Sequence, residues 1–231
     1  MYRVRSKQLQ VKLICLYDPK STVAEAYRTL RTNIQFAGVD RQIKTLMVTS
    51  AGPGEGKTTT VTNLAIAMAQ SGKKVILVDG DLRKPTIHNT FYISNRLGLT
   101  NLLTGQAEFV KVVHRIPELP LDVIPAGSIP PNPADFLGSQ PMQRLIASLR
   151  EEYEMVLVDT PPILPVTDGQ LLASYIDGVL LVLGCNKVQI DHARKAIALL
   201  KHVGANVIGS VLNNKKEKGR NSYHYRYYAE D

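Results

Sequence analysis

The chain has 231 residues, 44% of them hydrophobic, with 28 Lys and Arg against 20 Asp and Glu for a formal net charge of +8. That length suits one sizeable α/β domain rather than two, and no run approaches the roughly 18 apolar residues of a membrane span. No secretory signal core is present, and two isolated cysteines, Cys15 and Cys185, fit structural roles in a reducing compartment, so a cytoplasmic location is expected. The basic excess gathers at the ends, in Arg3, Arg5, Lys7 and Lys12 and in Lys215, Lys216, Lys218 and Arg220. It calls for an anionic partner: ATP, a nucleic acid or an anionic membrane surface.

In chain order, residues 1–20 read as irregular, up to Pro19. Ser21 or Thr22 caps a helix to about residue 37, with Glu25 in its first turns. Residues 43–50 form a β-branched, apolar run expected to be a buried strand. A helix over 57–70 closes at Ser71-Gly72. A second strand covers 74–78 and ends at Asp79. Short helices fill 85–113, a strand covers 121–125, and one longer helix spans 133–152. Strands at 155–158, 178–183 and 207–212 alternate with helices at 168–175 and 189–202. Continuously apolar strands alternating with helices predict an α/β fold, a mostly parallel sheet covered on both faces. Ligands of such sheets bind at the carboxyl ends of the strands. The expected organisation is an irregular segment over 1–20, a P-loop domain over 21–214 and a polar, tyrosine-rich flexible tail over 215–231.

Ala51-Gly52-Pro53-Gly54-Glu55-Gly56-Lys57-Thr58 follows a strand and opens a helix, the context that makes a phosphate-binding loop convincing. Glycines let backbone N–H groups point at phosphate oxygens, and the helix N-terminus adds a favourable dipole. The loop residues Gly52, Gly54, Glu55, Gly56, Lys57, Thr58 and Thr59 are therefore candidates for holding ATP. Lys57 is placed to reach the β- and γ-phosphates, and Thr58 to hold Mg²⁺. Ala51 stands where the strict pattern has Gly. Two further strands deliver carboxylates at their ends: Asp79-Gly80-Asp81-Leu82-Arg83 and Asp159-Thr160-Pro161-Pro162. Asp159 is the expected acid on the Mg²⁺ side. Asp79 and Asp81 lie two apart on an extended backbone and point the same way. A single such Asp would be read as a loop cap; three at strand ends around one P-loop are not.

These three motifs together resemble the bacterial tyrosine kinases, P-loop enzymes unrelated in fold to eukaryotic protein kinases. The resemblance extends to Arg83-Lys84-Pro85 and to the run Gly127-Ser128-Ile129-Pro130-Pro131-Asn132-Pro133, and covers the chain from about Pro19 to the tail. It is greatest to the separate kinase subunits of Gram-positive capsule and exopolysaccharide systems. In those, a distinct transmembrane protein supplies the membrane part and a cytoplasmic activating tail, which implies recruitment to the inner membrane face. Glu25, Arg28 and Arg31, at i, i+3 and i+6, match the family's self-association motif; spacing alone describes a solvated helix face with an intrahelical pair. The resemblance implies a homo-oligomeric ring when unphosphorylated. It also implies that Tyr223, Tyr225, Tyr227 and Tyr228 are the autophosphorylation sites, where composition alone would also allow a nucleic-acid-stacking tail. Asn213 resembles the residue that reads adenine in related proteins, with a simple turn role as the alternative.

The implied reaction moves the γ-phosphoryl of Mg·ATP to a tyrosine hydroxyl. Catalytic candidates are Lys57, Asp79, Asp81 and Asp159; metal candidates are Thr58, Asp81 and Asp159. Asp79 is the expected acceptor of the tyrosine proton, although the sequence leaves the division between Asp79 and Asp81 open. The alternative function is a partitioning or division-positioning switch ATPase. Those proteins carry a second lysine five residues before the main one, where this chain has Gly52, and lack a terminal tyrosine cluster. A nucleic-acid-binding scaffold ranks last, since no basic stripe or aromatic platform occurs in the middle of the chain. His88, His114, His192 and His202 form no catalytic set.

Overall fold

The computed structural model describes residues 13–38 and 42–215. A seven-stranded sheet has the order β3-β4-β2-β5-β1-β6-β7, with β1 Thr45–Ser50, β2 Val75–Asp79, β3 His114–Ile116, β4 Leu121–Ile124, β5 Met155–Asp159, β6 Gly178–Gly184 and β7 Val207–Asn213. Every neighbouring pair is parallel except β3–β4. The expected mostly parallel α/β sheet is therefore present. The sheet's three central strands, β2, β5 and β1, are those whose carboxyl ends carry the motifs.

The strands separate their side chains onto two faces with a period of two. Leu46 and Val48 of β1, Leu77 of β2 and Leu157 of β5 enter one core with helix α3, Lys57–Ala69. Met47, Ile76, Val78, Val156 and Val158 enter the other, against α8, Gln140–Glu152, and α10, Ile190–His202. Helix α3 is buried at every residue from Thr60 to Ala69. A helix apolar all round is one packed on several sides: here the sheet lies beneath it and α2, Thr22–Ala37, beside it.

Most boundaries fall within two residues of expectation, because Gly and Ser mark them. Ser21 caps α2 by accepting from Ala24 N at 3.2 Å. Three features differ. The helix expected over 133–152 is two, α7 Pro133–Leu137 and α8, separated at Gly138-Ser139. Ser139 caps α8 by accepting from Met142 N at 3.2 Å, and Pro141 lies in the first turn, where its missing N–H costs nothing. Strand β3 is a three-residue antiparallel edge without alternation in its sequence. Finally, the part of 1–20 that is described is not irregular. Residues Ile14–Tyr17 form a short helix, α1, and Leu13 and Cys15 are buried in the α3-side core. Cys15 N donates to Asn63 Oδ1 at 3.1 Å, and Gln70 Nε2 donates to Cys15 O at 2.8 Å. Three short helices follow β2 as expected: α4 Ile87–Phe91, α5 Leu99–Leu103 and α6 Phe109–Val112. The tail tyrosines lie outside the described residues.

Because Leu13 is buried against α3, Leu13→Ala should destabilise the protein by about 2–4 kcal/mol. Urea unfolding checks this: the midpoint should fall with the slope unchanged. An unmoved midpoint would mean that this segment does not pack on the domain.

Candidate functional site

Parallel pairing brings the carboxylates together. Asp79 of β2 and Asp159 of β5 are direct register partners, and Asp159 is also the register partner of Val48 in β1. Register partners on neighbouring strands stand about 4.8 Å apart and present side chains to the same face. Both residues have no exposed surface, and Asp81 is buried as well. Beside them β1 ends, and the loop at 51–56 carries the chain into α3.

Lys57, the first residue of α3, turns its ammonium into this acidic cluster. Nζ lies 2.7 Å from Asp81 Oδ2 and 3.6 Å from Asp159 Oδ1, and donates to Thr58 Oγ1 at 3.3 Å. Thr58 Oγ1 donates to Asp159 Oδ2 at 2.6 Å. Asp81 Oδ1 accepts from Lys84 N at 3.0 Å, and Asp79 Oδ2 from Ile87 N at 3.1 Å. The expected catalytic and metal candidates Lys57, Thr58, Asp79, Asp81 and Asp159 are thus one cluster at the head of α3. Asp79 Oδ1 and Asp159 Oδ1 are buried without a hydrogen-bond partner.

Burial and mutual charge shift Asp79, Asp159 and Lys57. Burial raises Asp79, pushed up to about 8, with the Asp159 charge adding to it and the Ile87 N–H opposing. Burial also raises Asp159, to about 6, against the pull of Lys57 and Thr58. For Lys57 burial works in the opposite sense, but the carboxylates of Asp159 and Asp81 outweigh it and raise its pKa. The cluster is short of positive charge, and a cation is what it lacks.

The donor set fits Mg²⁺ and a nucleotide. Magnesium favours one or two carboxylates, a hydroxyl and phosphate oxygens over an all-protein cage. Accordingly, no group of three or more His, Cys, Asp or Glu among the described residues could hold a metal by itself. The head of a 13-residue helix supplies free amides beside it. Gly56, the residue before α3, has φ +97, and a Cβ there would come 1.9 Å from Asn213 Nδ2, so glycine is required twice over.

Other candidates take roles the sequence did not reveal. The Glu55 side chain is buried and turns away from the phosphate side. Its Oε1 accepts from Gly52 N at 2.5 Å and its Oε2 from Gly184 N at 3.0 Å, tying the loop to β6 and using up the Gly52 amide. Asn213 donates through Nδ2 to Glu55 O at 2.9 Å. Thr59 is exposed on the first turn of α3. Arg83, from the run after Asp81, forms a two-point ion pair with buried Asp168, at 2.8 and 2.9 Å, and fastens that run to α9, Asp168–Ala173. Its partner could not be inferred, since 85 residues separate the two. Away from the cluster, Arg28 Nε lies 2.6 Å from Glu25 Oε2, the pairing that spacing alone describes. Arg31 donates to Ala67 O at 2.8 Å, in the last turn of α3. A second cleft, of about 640 Å³ between α1, the end of α4 and the β3–β4 turn, holds Glu118 as its one charged lining residue and lacks such chemistry.

The family described as AAA domain matches residues 43–213. The chain is 45% identical to tyrosine-protein kinase YwqD of Bacillus subtilis (strain 168), over 96% of this chain and 93% of that protein. It is 34% identical to tyrosine-protein kinase etk of Escherichia coli (strain K12), over 96% of this chain but only 30% of that much longer protein. Among solved structures, the chimerical protein CapA2B2 superposes with a TM-score of 0.87 at 37% identity, covering 90% of this chain and 91% of that one.

The burial of Asp79 gives a measurable signature. A free aspartate titrates near 3.8, so between there and about 8 the folded protein holds a proton that the unfolded chain has lost. Stability is full below the lower value and is lost as pH rises through the upper one. In metal-chelated protein without nucleotide, Asp79→Asn should therefore raise the thermal midpoint by a margin that widens from about pH 5 to about pH 8.5. A margin independent of pH would show that Asp79 titrates normally.

Proposed function

The chain belongs to the bacterial P-loop tyrosine kinases, and from that membership we propose that it transfers the γ-phosphoryl group of Mg·ATP to tyrosines of its own C-terminal cluster, in trans. The observation that carries this reading is the cluster of Lys57, Thr58, Asp81 and Asp159 at the head of α3.

Bound nucleotide supplies the phosphoryl group, and bound Mg²⁺ draws charge from its oxygens. The chain's own part is positioning and charge. Thr58 and Asp159 would hold the metal, and Asp81 would help orient it or its waters. Lys57, anchored by the two carboxylates, offers its ammonium to the charge that develops on the transferring group. Their different contacts support giving separate roles to the two residues that the sequence left equivalent. Asp81 is committed to Lys57 and the Lys84 amide, whereas Asp79 keeps one oxygen free and a raised proton affinity. A carboxylate with that affinity is the better match for a phenol of pKa about 10. Asp79 is our acceptor for the tyrosine proton in the loaded site, where the added charge of Mg²⁺ would favour its carboxylate form; in the empty site it holds a proton of its own up to about pH 8.

The acceptors are Tyr223, Tyr225, Tyr227 and Tyr228 of a neighbouring copy. Glu25 and Arg28 are partly exposed on α2 and offer charge to that neighbour in a ring, while Arg31 is engaged by α3. Phosphates of charge about −2 on the tail would repel the acidic cluster and loosen the ring. No described helix is long and apolar enough to cross a membrane. We assign that role to a transmembrane partner whose cytoplasmic tail recruits and activates the kinase, in control of capsular or exopolysaccharide synthesis or export.

Incubation with labelled ATP followed by phosphoamino-acid analysis tests the reaction. Phosphotyrosine is expected; free phosphate alone would indicate a switch ATPase. Lys57→Met should lower phosphotyrosine formation about a hundredfold or more with the fold intact. Lys57→Met protein mixed with an active, tail-deleted chain tests the trans step: the inactive copy's tail should gain phosphate, and an unlabelled tail would sink the neighbour model.

A further inference from the structure

Four carbonyls of the phosphate loop are engaged by donors elsewhere in the chain. Gly52 O accepts from Ser50 Oγ at 2.7 Å, Gly54 O from Lys187 Nζ at 2.8 Å, Glu55 O from Asn213 Nδ2 at 2.9 Å and Gly56 O from Thr60 N at 2.9 Å. In a trans peptide, C=O and the following N–H point in opposite directions. Holding the 54 and 55 carbonyls outward therefore turns the amides of Glu55 and Gly56 inward.

Three of these four donors are neutral. The fourth, Lys187, is charged and arrives from the turn between β6 and α10. That turn is built for it: Lys187 N and Val188 N both donate to Gly184 O at 3.1 Å, and Asn186 adopts φ +59. Gly54 has φ +70, and a Cβ there would stand 2.7 Å from the ammonium, so the approach of Lys187 depends on a residue without one. Lys187 is exposed, and among the described residues no carboxylate lies within ion-pair distance of it. Among the described residues its charge is uncompensated, unlike that of Lys57, and Gly54 O accepts from one of its three N–H donors.

We propose that Lys187 is a nucleotide-positioning residue: it fixes the Gly54 carbonyl on the outer side of the loop, presents the Glu55 amide to phosphate, and adds an unpaired positive charge beside the anion site. This rests on the nucleotide reading above and extends it to a residue 130 positions from the loop. A residue acting in this way changes affinity rather than the chemical step.

Titration of the full chain with Mg·ADP, at low and at high salt, tests it. Lys187→Met should weaken binding about fivefold, the scale of one exposed charge-assisted hydrogen bond. Lys187→Arg should stay close to the parent, and the salt dependence of binding should be shallower in Lys187→Met. Without nucleotide, hydrogen exchange across residues 51–58 should quicken in Lys187→Met. With ATP, KM should rise while kcat changes by less than about twofold. Equal Mg·ADP affinity in parent and Lys187→Met would overturn the proposal. So would a fall in kcat together with the thermal midpoint, since that marks a merely structural turn. Failure of the parent itself to bind Mg·ADP would remove the nucleotide reading and this inference with it.

Discussion

The pairing of β2 with β5 sets the terms for everything at the top of the sheet. Once Asp79 and Asp159 are register partners on adjacent parallel strands, neither carboxylate can move away from the other without breaking the ladder. The two are enclosed, and each has an oxygen without a hydrogen bond. An apolar core could not hold such a pair ionised. What makes it tolerable is the ammonium of Lys57, delivered by the first turn of α3, together with the hydroxyl of Thr58. Lys57 cannot balance three acids. The same imbalance that burdens the fold suits the proposed phosphoryl transfer: a divalent cation would balance a site deficient in positive charge, and such a cation is what that chemistry requires.

Holding such a cluster takes rigid surroundings, and these come from far along the chain. Glu55 reaches β6, Asn213 comes from the end of β7, and Lys187 from the turn between β6 and α10. Each fastens the outer side of the loop, leaving the inner side to the amides. Glycine at 54 and 56 follows from this arrangement as much as from backbone dihedrals, because Lys187 of the β6–α10 turn and Asn213 of β7 occupy the space a Cβ would need.

The sequence displayed the parts of this design that are local. The loop between an apolar strand and a helix, the Asp that ends β2 and β5 and the Ser21 cap of α2 all depend on neighbours within a few residues, and each could be placed to within about two positions. Asp79 and Asp81 could be recognised as a pair but not distinguished, because their difference lies in which one Lys57 and the Lys84 amide engage. The burial of Glu55 was invisible: a charged residue in a glycine-rich loop reads as a phosphate-side group, and only the fold brings the Gly184 amide to its carboxylate. Leu13 and Cys15 escaped for a related reason. A four-residue helix has no period to detect, and its burial depends on the flank of α3. The break at Gly138-Ser139 was legible in hindsight, since Ser-Gln-Pro is a helix start, yet the apolar period ran through it.

Helix α3 joins these observations to assembly. Its N-terminus carries Lys57 and Thr58, and its last turn accepts Arg31 of α2 through the Ala67 carbonyl. On its flank, Asn63 accepts from the Cys15 amide, and Gln70, just past its end, donates to the Cys15 carbonyl. The helix is thus held at its head by the nucleotide loop and towards its tail by α2 and α1. Arg28, one turn before Arg31, donates to the carbonyl of Pro19 as well as pairing with Glu25. In the proposed ring, a neighbour engaging Glu25 or Arg28 would pull on a segment that packs directly against the helix that carries Lys57. Packed interiors transmit such displacements with little loss. The route from the α2 face to Lys57 passes through one buried helix, so in the proposed ring contact between copies and occupancy of the nucleotide site would meet on the same element.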